Sequence, residues 1–360
     1  MSLAIDVRML TNSGIGTYLR HVLPCLISLR TEERFNLVGN SAELDAFPWS
    51  RCHNVAVVDC QSPIFSVDEQ IRLPRLIPAE SDLFWSPQFN IPLFYRGKLL
   101  VTVHDVSHLA LPQYMGGLHK RLYATTLFTA LRRKANAIIC DSQFTADELI
   151  RLAGVKASKI TVVHLGVDEA WFSIPKKARP HGRPYFLFVG NVKPHKNLSA
   201  LIAAFQSITD RISHDLVIVG KKEGFITADR MVMRRAEMLG ERIRFTGFVD
   251  DPLLKQYFVH ADALVLPSLY EGFGLPPLEA MACGCPAIVS RAASLPEVCR
   301  DAAIYCDPRD IKAIADKMLY VVTHDSVRAE LRERGVQHAR RFTWDKCARE
   351  TGAVIERLLQ

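Results

Sequence analysis

Short apolar runs recur along the chain without the alternation of a half-exposed strand, and segments of helical spacing separate them. Strands buried on both faces have this pattern, and their alternation with helices is typical of parallel α/β sheets. The pattern predicts strands in the first half near Ala4–Val7, Phe35–Val38, Val55–Val58, Leu99–His104, Ala137–Cys140 and Ile160–His164. It predicts strands in the second half near Tyr185–Val189, Leu216–Val219, Ile243–Phe245, Ala263–Leu266, Ala287–Val289 and Ala303–Tyr305.

A segment rich in proline and charge, residues 175–184, separates the two halves. Because apolar residues are scarce in it, its composition is that of a linker. We therefore expect two Rossmann-like, doubly wound parallel-sheet domains facing a deep cleft, formed by residues 1–174 and 185–341. Ligands of such sheets bind beyond the carboxyl ends of the strands, so we look there for chemistry.

The most informative stretch follows the apolar run Ala263–Leu266. A glycine-bearing loop leads to Pro276, which suits the first turn of a helix, and Gly284 suits the position just past its end. Two carboxylates, Glu271 and Glu279, flank the loop. Bare N–H groups at the helix N-terminus suit an anion such as a diphosphate, and the carboxylates suit sugar or ribose hydroxyls. One site could thus bind both parts of a nucleotide-sugar.

A second strand-to-helix loop contains Gly14 and Gly16. A dinucleotide fingerprint needs a third glycine where Leu19 stands, so that cofactor is excluded. Two interpretations stay open for this loop. Its N–H groups meet a phosphate or sugar, or its glycines serve only the backbone geometry of the turn.

Two further strand ends carry polar candidates. His104 could bind a sugar hydroxyl or respond to developing charge, or it could simply pair with a backbone carbonyl. Lys196 lies near a predicted helix N-terminus, where the helix dipole disfavours a cation unless an anion binds between them; a solvated lysine is the alternative. A Walker A loop is excluded because His195 stands where glycine is needed. Residues 248–249 could read a base edge, or form an ordinary turn.

Composition adds mainly exclusions. The net charge of +7, from 45 basic and 38 acidic residues, is a mild excess, and no nucleic-acid-binding pattern accompanies it. Nine scattered cysteines show neither a disulfide framework nor zinc-ligand spacing. The chain has no apolar run of the roughly 18 residues that span a membrane, and its start lacks the features of a signal peptide. These observations predict a cytoplasmic protein.

Together these motifs resemble the family 4 retaining glycosyltransferases, which have the two-Rossmann GT-B fold. The resemblance spans nearly the whole chain, and its most specific element is the Glu-x7-Glu motif from Glu271 to Glu279. It implies catalytic roles for His104, Lys196 and Glu271. It implies that a nucleotide-diphosphate sugar is bound by Gly14, Ile15, Gly16, Gly190, Asn191, Lys196, Phe248, Val249, Glu271, Gly272, Phe273, Gly274, Leu275 and Glu279.

The implied roles follow the parts of the donor. Glu279 would bind the ribose, Glu271 with residues 272–274 the sugar and distal phosphate, and Lys196 the diphosphate. His104 would lie at the donor sugar and residues 14–16 at the diphosphate, while residues 248–249 would contact the base. The resemblance implies no metal and no cofactor. It also implies that the C-terminal helix, residues 342–360, crosses back to the first domain.

One position departs from the family pattern. Many relatives carry arginine directly after the glycine that corresponds to Gly190, whereas this chain has Asn191. Lys193 or His195 could supply the missing positive charge. The interpretation of phosphate neutralisation therefore rests on these side chains as well as on Lys196.

The motif combination looks most like bacterial mannosyltransferases of polysaccharide or O-antigen assembly. It favours GDP-mannose as donor and a glycan or lipid-linked oligosaccharide as acceptor. The alternatives are a UDP-sugar-dependent transferase and a binding subunit without catalysis. The segment 118–134 has leucines near helical spacing and basic clusters at both ends, which suggests peripheral contact with an anionic inner membrane; a core helix with solvated ends is the alternative.

Overall fold

The computed structural model describes residues 1–114, 117–220 and 230–360. The chain divides into two compact units, and each is described by itself. Unit 1 combines Met1–Gly166 with Trp344–Gln360, and unit 2 is Val167–Thr343. Both are parallel α/β sheets, as the strand–helix alternation predicts.

The sheet of unit 1 has seven strands among the described residues, in the order β3-β2-β1-β4-β5-β6-β7. Every pairing is parallel. The strands are β1 Ser2–Asp6, β2 Arg34–Gly39, β3 Val55–Asp59, β4 Leu83–Ser86, β5 Leu99–Val103, β6 Ala137–Cys140 and β7 Ile160–Val162. Its helices before the linker are α1 Ile15–Leu29, α2 Ser41–Leu44, α3 Val67–Leu76, α4 Ser107–Ala110, α5 Leu118–Lys134 and α6 Gln143–Ala153.

Strand β4 was absent from the sequence-based prediction. Its four residues, Leu-Phe-Trp-Ser, are all buried in the middle of the sheet between β1 and β5. Three apolar residues followed by a serine are too few to show a period, so the sequence pattern could not distinguish this strand from a loop. The other strands of this sheet lie where the apolar runs predict them.

The sheet of unit 2 has six parallel strands among the described residues, in the order β10-β9-β8-β11-β12-β13. They are β8 Tyr185–Val189, β9 Asp215–Val219, β10 Ile243–Gly247, β11 Ala263–Leu266, β12 Ala287–Ser290 and β13 Ile304–Cys306. Its helices are α7 Leu198–Gln206, α8 Arg230–Met238, α9 Asp251–His260, α10 Leu275–Ala282, α11 Leu295–Cys299, α12 Ile311–Thr323 and α13 Asp325–Ala339. All six predicted strands are confirmed.

The last helix, α14 (Trp344–Leu359), belongs to unit 1. The indole of Trp344 stacks on the imidazole of His21 with the ring centroids 4.9 Å apart, and Arg30, which directly follows α1, donates to the carbonyl of Gly352 at 2.7 Å. Glycine at that position allows the close approach, because a Cβ there would lie 3.2 Å from the Arg30 guanidinium. The C-terminal helix therefore packs on the α1 side of unit 1.

Residues predicted as a linker pack against unit 2. The side chain of Gln256 accepts from the N–H of Lys177 at 3.0 Å and donates to the carbonyl of Pro175 at 3.0 Å. His181 lies 2.7 Å from the buried carboxylate of Asp215 at the start of β9. These residues accordingly belong to the compact unit Val167–Thr343.

Each sheet contains one point where the strand order reverses. In unit 1 this switch point lies between β1 and β4, and in unit 2 between β8 and β11. The helices that follow the two strands leave in opposite directions there, which opens a crevice at the carboxyl edge of the sheet. The loops after these four strands are therefore the places to seek ligand-binding groups.

Candidate active site

An ion pair spans the switch point of unit 2. Lys196 comes from the loop after β8 and Glu271 from the loop after β11, and the ammonium lies 2.7 Å from both carboxylate oxygens. Both side chains are largely buried, with 17% and 11% of their surfaces exposed. The solvated-lysine alternative is therefore wrong. In this structure, the carboxylate of Glu271 is the anion that stabilises the Lys196 ammonium near the helix N-terminus.

Hydrogen bonds from the Asn197 side chain and from the backbone hold the two loops together. A 3₁₀ turn over Pro194–Lys196 ends at Asn197, which takes the left-handed conformation with φ 59°. The Asn197 amide donates 3.0 Å to the carbonyl of Pro267 and 2.7 Å to that of Pro308. The N–H of Leu269 donates to the carbonyl of His195 at 2.7 Å. Lys196 thus projects from a turn that is fixed to the β11 loop.

The loop before α10 is fixed from the other side by Ser294. This buried hydroxyl lies 2.9 Å from the carbonyl of Glu271 and 2.8 Å from that of Phe273. Gly274 has φ 109°, and a Cβ there would lie 2.7 Å from the Leu295 side chain, so glycine is required. Among the described residues no side chain caps α10, and its first turn holds no acidic residue. The two prolines after Leu275 carry no N–H, so the backbone donors that this helix start can offer an anion are those of Gly274 and Leu275.

Glu279 lies in the second turn of α10 and is half-buried. Burial, together with the charge of Asp251, raises the pKa of its carboxyl from 4.5 to about 7 against the opposing charge of Lys255. Its carboxylate makes no hydrogen bond to another residue within the described part of the chain. A hydroxyl-bearing ligand that donates to it would favour the charged form.

The predicted base-contacting residues precede the helix whose charges act on this carboxyl. Phe248 and Val249 lie between β10 and α9, the helix that carries Asp251 and Lys255. The ring of Phe248 is 74% exposed.

Gly190, which follows β8, is hydrogen-bonded to the neighbouring strand at the edge of the sheet. The N–H of Gly190 donates 3.0 Å to the carbonyl of Val219, the last residue of β9. Asn191 and Lys193 follow it, and both side chains are exposed. Lys193 forms no ion pair with another described residue, so its ammonium can approach an anion at this edge of the sheet.

In unit 1, His104 follows β5 and contacts the switch point between β1 and β4. Its Nδ1 lies 2.6 Å from the carboxylate of Asp141, and its Nε2 lies 3.0 Å from the carbonyl of Pro87 in the loop after β4. Burial lowers the pKa of His104, but the charge and hydrogen bond of Asp141 together with the Pro87 carbonyl outweigh this and raise it. Because both ring nitrogens face acceptors, these contacts favour the protonated imidazolium. The carbonyl pairing considered from sequence is therefore present.

Gly14, Ile15 and Gly16 form the entry to α1. Gly14 has φ 76° and precedes the first turn, which has neither a side-chain cap nor an acidic residue. A Cβ on Gly16 would lie 2.5 Å from the carbonyl of Leu10, so this glycine is needed for the close turn. The geometric interpretation therefore holds for Gly16, while the first-turn N–H groups remain available at the same sheet edge.

Comparisons with known proteins agree with this geometry. A glycosyl transferases group 1 model matches residues 169–341, and a glycosyltransferase family 4 model matches residues 50–171. The chain is 31% identical to O-antigen chain mannosyltransferase B of Escherichia coli over 94% of each protein. The chain belongs to the family 4 glycosyltransferases. A second relative of this glycosyltransferase, O-antigen chain mannosyltransferase RfbU of Salmonella typhimurium, is 32% identical over 59% of the chain and 58% of that protein.

Solved structures show the same fold as this glycosyltransferase. HepE of Anabaena in complex with UDP-glucose has a TM-score of 0.77 at 18% identity and covers 99% of both chains. WaaG, a glycosyltransferase involved in lipopolysaccharide biosynthesis, has a TM-score of 0.74 at 15% identity over 98% of this chain and 99% of that one. The GT-B fold class is thereby confirmed.

Sequence reasoning missed three supporting residues of this glycosyltransferase. Asp141 and Ser294 act on the predicted site residues from a distance of 37 and 23 positions along the chain. Asn197 directly follows Lys196, but its amide bonds reach other loops. Only Asp141 carried a local signal, because it ends an apolar strand at the same sheet edge as His104.

The described residues contain no cluster of three or more His, Cys, Asp or Glu side chains that could hold a metal ion. All nine cysteines of the glycosyltransferase are free, as their spacing predicts. Among the helices described, none is both long enough and apolar enough to cross a membrane.

Proposed function

We propose that this glycosyltransferase moves mannose from GDP-mannose to a glycan or lipid-linked oligosaccharide in cell-surface polysaccharide assembly, with retention of configuration. The ion pair of Lys196 and Glu271 at the unit 2 switch point carries the proposal of a diphosphate-sugar site. The mannosyl group and the O-antigen context rest on the names of the similar proteins. The donor and the acceptor are tested separately below.

The donor is proposed to lie along the carboxyl edge of unit 2. Lys196 and the N–H groups of α10 take the diphosphate, Glu271 with residues 272–274 holds the sugar, and Glu279 accepts from the ribose hydroxyls. Phe248 and Val249 contact the base, and residues 190–191 border the distal phosphate. The Lys196 ammonium and the Glu271 carboxylate are held together at this edge, so the group proposed for the diphosphate and the group proposed for the sugar hydroxyls lie side by side.

The chemistry follows from the charge that develops as the bond between the sugar and the diphosphate breaks. The electron pair of that bond stays on the leaving oxygen, and the ammonium and helix N–H groups stabilise its negative charge. The sugar centre becomes oxocarbenium-like. An acceptor hydroxyl then forms the new bond on the face that GDP leaves, and its proton passes to the β-phosphate. The products are GDP and the extended glycan.

His104 and residues 14–16 keep the roles that the family resemblance assigns them, at the donor sugar and the diphosphate. An imidazolium fixed by Asp141 would stabilise negative charge on the leaving group. It would not donate its protons, because both face other acceptors, the carboxylate of Asp141 and the carbonyl of Pro87. We therefore propose an electrostatic and positioning role for His104, and no role as a general acid.

Helix α5 supports a second element of the proposal, peripheral contact with an anionic membrane. Leu127 and Leu131 are fully buried, whereas Leu122 is 66% exposed and follows the exposed basic residues Lys120 and Arg121. The core-helix alternative therefore fits the second half of α5, and membrane contact would involve only its first half. Sedimentation with vesicles containing 30 mol% phosphatidylglycerol tests this, and a bound fraction unchanged from neutral vesicles removes it.

The donor assignment is tested by measuring nucleotide release from GDP-mannose, UDP-glucose and ADP-glucose in the presence of oligomannoside acceptors. We expect release from GDP-mannose to be at least about tenfold faster than from the others, since a base pocket that discriminates by 1.4 kcal/mol gives this factor. Preferential use of UDP-glucose would establish the UDP-sugar alternative. Tight nucleotide binding without any transfer would instead indicate a non-catalytic subunit.

A further inference from the structure

A half-exposed phenylalanine in unit 1 has an unusual backbone conformation. Phe65, in the loop between β3 and α3, has φ 62°, and 48% of its surface is exposed. A bulky side chain rarely adopts this conformation, which persists only where neighbouring contacts hold it. Ser66 provides them, because its hydroxyl donates to the carbonyl of Pro63 at 2.7 Å and accepts from the N–H of Glu69 at 3.1 Å. The backbone of Phe65 is thus held in a strained conformation in which its ring is half-exposed.

Two other rings extend this surface. The Phe65 centroid lies 5.9 Å from that of Phe89 and 6.3 Å from that of Tyr123, which it meets edge to face. Phe89 stacks on the buried Phe128 at 4.8 Å and lies 4.8 Å from the imidazole of His108. Phe65, Phe89 and Tyr123 are named the aromatic platform below. Its rings are half-buried or exposed, and each is backed by another ring.

A buried polar network fixes the platform from beneath. The Tyr123 hydroxyl lies 3.2 Å from the carboxylate of Glu69 and 3.0 Å from the amide oxygen of Asn90. Asn90 donates to Glu69 at 2.6 Å, and Arg8 donates to Glu69 at 3.0 Å and to Asp6 at 2.7 Å. The Arg8 and Glu69 side chains are 3% and 1% exposed. A network buried this far holds its members in one geometry.

The sheet topology places these residues at the ligand-binding edge of unit 1. Arg8 follows β1, Phe65 follows β3 and Phe89 follows β4, whereas Tyr123 lies in helix α5, between β5 and β6. Since all strands are parallel, the loops after β1, β3 and β4 leave from the same edge, and Arg8 and Asn90 follow the two strands that flank the switch point. The platform therefore lies where a substrate of unit 1 is expected.

We propose that the aromatic platform binds a pyranose ring of the acceptor glycan, a site that rests on the proposed function. The apolar C–H face of a sugar stacks on an aromatic ring, while its hydroxyls need polar partners at the ring edge. The platform has both, because the imidazole of His108 borders the ring of Phe89. A lipid tail needs no polar border, so the arrangement favours a saccharide.

The test replaces Phe65 by asparagine and by tyrosine. Asparagine tolerates the left-handed conformation and removes the ring, whereas tyrosine keeps the ring. Saturation-transfer NMR and kinetics with mannotriose measure the saccharide, and calorimetry with GDP measures the donor site. We expect Phe65→Asn to raise the mannotriose Kd and KM at least about tenfold with an unchanged Kd for GDP, and Phe65→Tyr to stay within about twofold. Phe94→Asn, at an aromatic residue that is 70% exposed, is the control and should change neither.

The outcomes separate this proposal from the function on which it rests. If Phe65→Asn binds mannotriose as the wild type does, the platform is not a saccharide site. If it keeps that affinity but loses sedimentation with anionic vesicles, the platform is a membrane contact and the proposal is wrong. If wild-type protein binds mannotriose through Phe65 but transfers no sugar, the proposed function fails while the binding site stands.

Discussion

Replacing Glu279 by glutamine tests the electrostatics of the donor site, because it removes the charge and keeps the shape. Burial raises the pKa of this carboxyl from 4.5 to about 7. Between these two values the native state binds more protons than the unfolded state. Stability contributed by this group is therefore highest below pH 4.5, falls as the pH rises towards 7, and stays low above it. Glutamine mimics the protonated form and should escape this loss.

The size of the effect follows from the shift. Each pKa unit corresponds to about 1.4 kcal/mol, so the full shift represents about 3 kcal/mol at pH 8, which screening of the half-buried Glu279 side chain reduces to about 2 kcal/mol. In a unit of 150–250 residues, 1 kcal/mol moves the Tm by roughly 2–4 °C. We expect Glu279→Gln to melt about 5 °C above the wild type at pH 8, and within about 1 °C of it at pH 4.5.

The assay is differential scanning calorimetry of both proteins across this pH range, following the transition of unit 2. Calorimetric titration with GDP gives the functional counterpart. Ribose hydroxyls that donate to a carboxylate favour its charged form, so the wild-type Kd should fall about tenfold between pH 6 and 8 while that of the variant stays flat. Glu330→Gln, at a glutamate that is 61% exposed on the same unit, should show neither effect. A Tm difference that is equal at pH 4.5 and pH 8 would refute the reasoning.

Three further changes test the site. Lys196→Met should lower kcat about 100- to 1000-fold, as the loss of one charge-stabilising group does. Lys312→Met, at an 85% exposed residue, should leave kcat unchanged. Equal kcat values for the two variants would contradict this. Asp141→Asn should lower the raised pKa of His104, seen by NMR titration, and should destabilise unit 1 more at pH 6 than at pH 9, because a raised histidine pKa stabilises only below it. An unmoved titration would show that Asp141 does not set this pKa. Ser294→Ala releases two loop carbonyls and should raise the KM for the donor at constant acceptor KM, and a parallel rise in both would indicate general loosening.

Much of the fold could be predicted from local pattern. The apolar runs located twelve strands, and Pro276 and Gly284 correctly indicated the first turn and the end of helix α10, which spans Leu275–Ala282. Strand β4 was missed because three apolar residues and a serine are too few to show a periodicity. The segment 175–184 has the composition of a linker, but hydrogen bonds to Gln256 and Asp215 attach it to unit 2. Such attachments depend on residues distant in sequence.

The candidate site, like the fold, could be predicted only in part. The positions of Lys196 and Glu271 after two strands predicted a shared sheet edge, and the structure brings the two side chains to 2.7 Å. Their mutual neutralisation was not predicted, because it depends on adjacency of β8 and β11 in the sheet, which no local pattern encodes. The support of His104 by Asp141 was missed for the same reason. The roles of all the donor-binding residues, Lys196 and Glu271 included, stay predictions.

The central claim is that Lys196 recognises the second phosphate of the nucleotide. Titration calorimetry with GDP and GMP measures this directly in the wild type and in Lys196→Met. We predict that the wild type prefers GDP by at least about tenfold and that the variant loses this preference. An undiminished preference for GDP in the variant would contradict the claim.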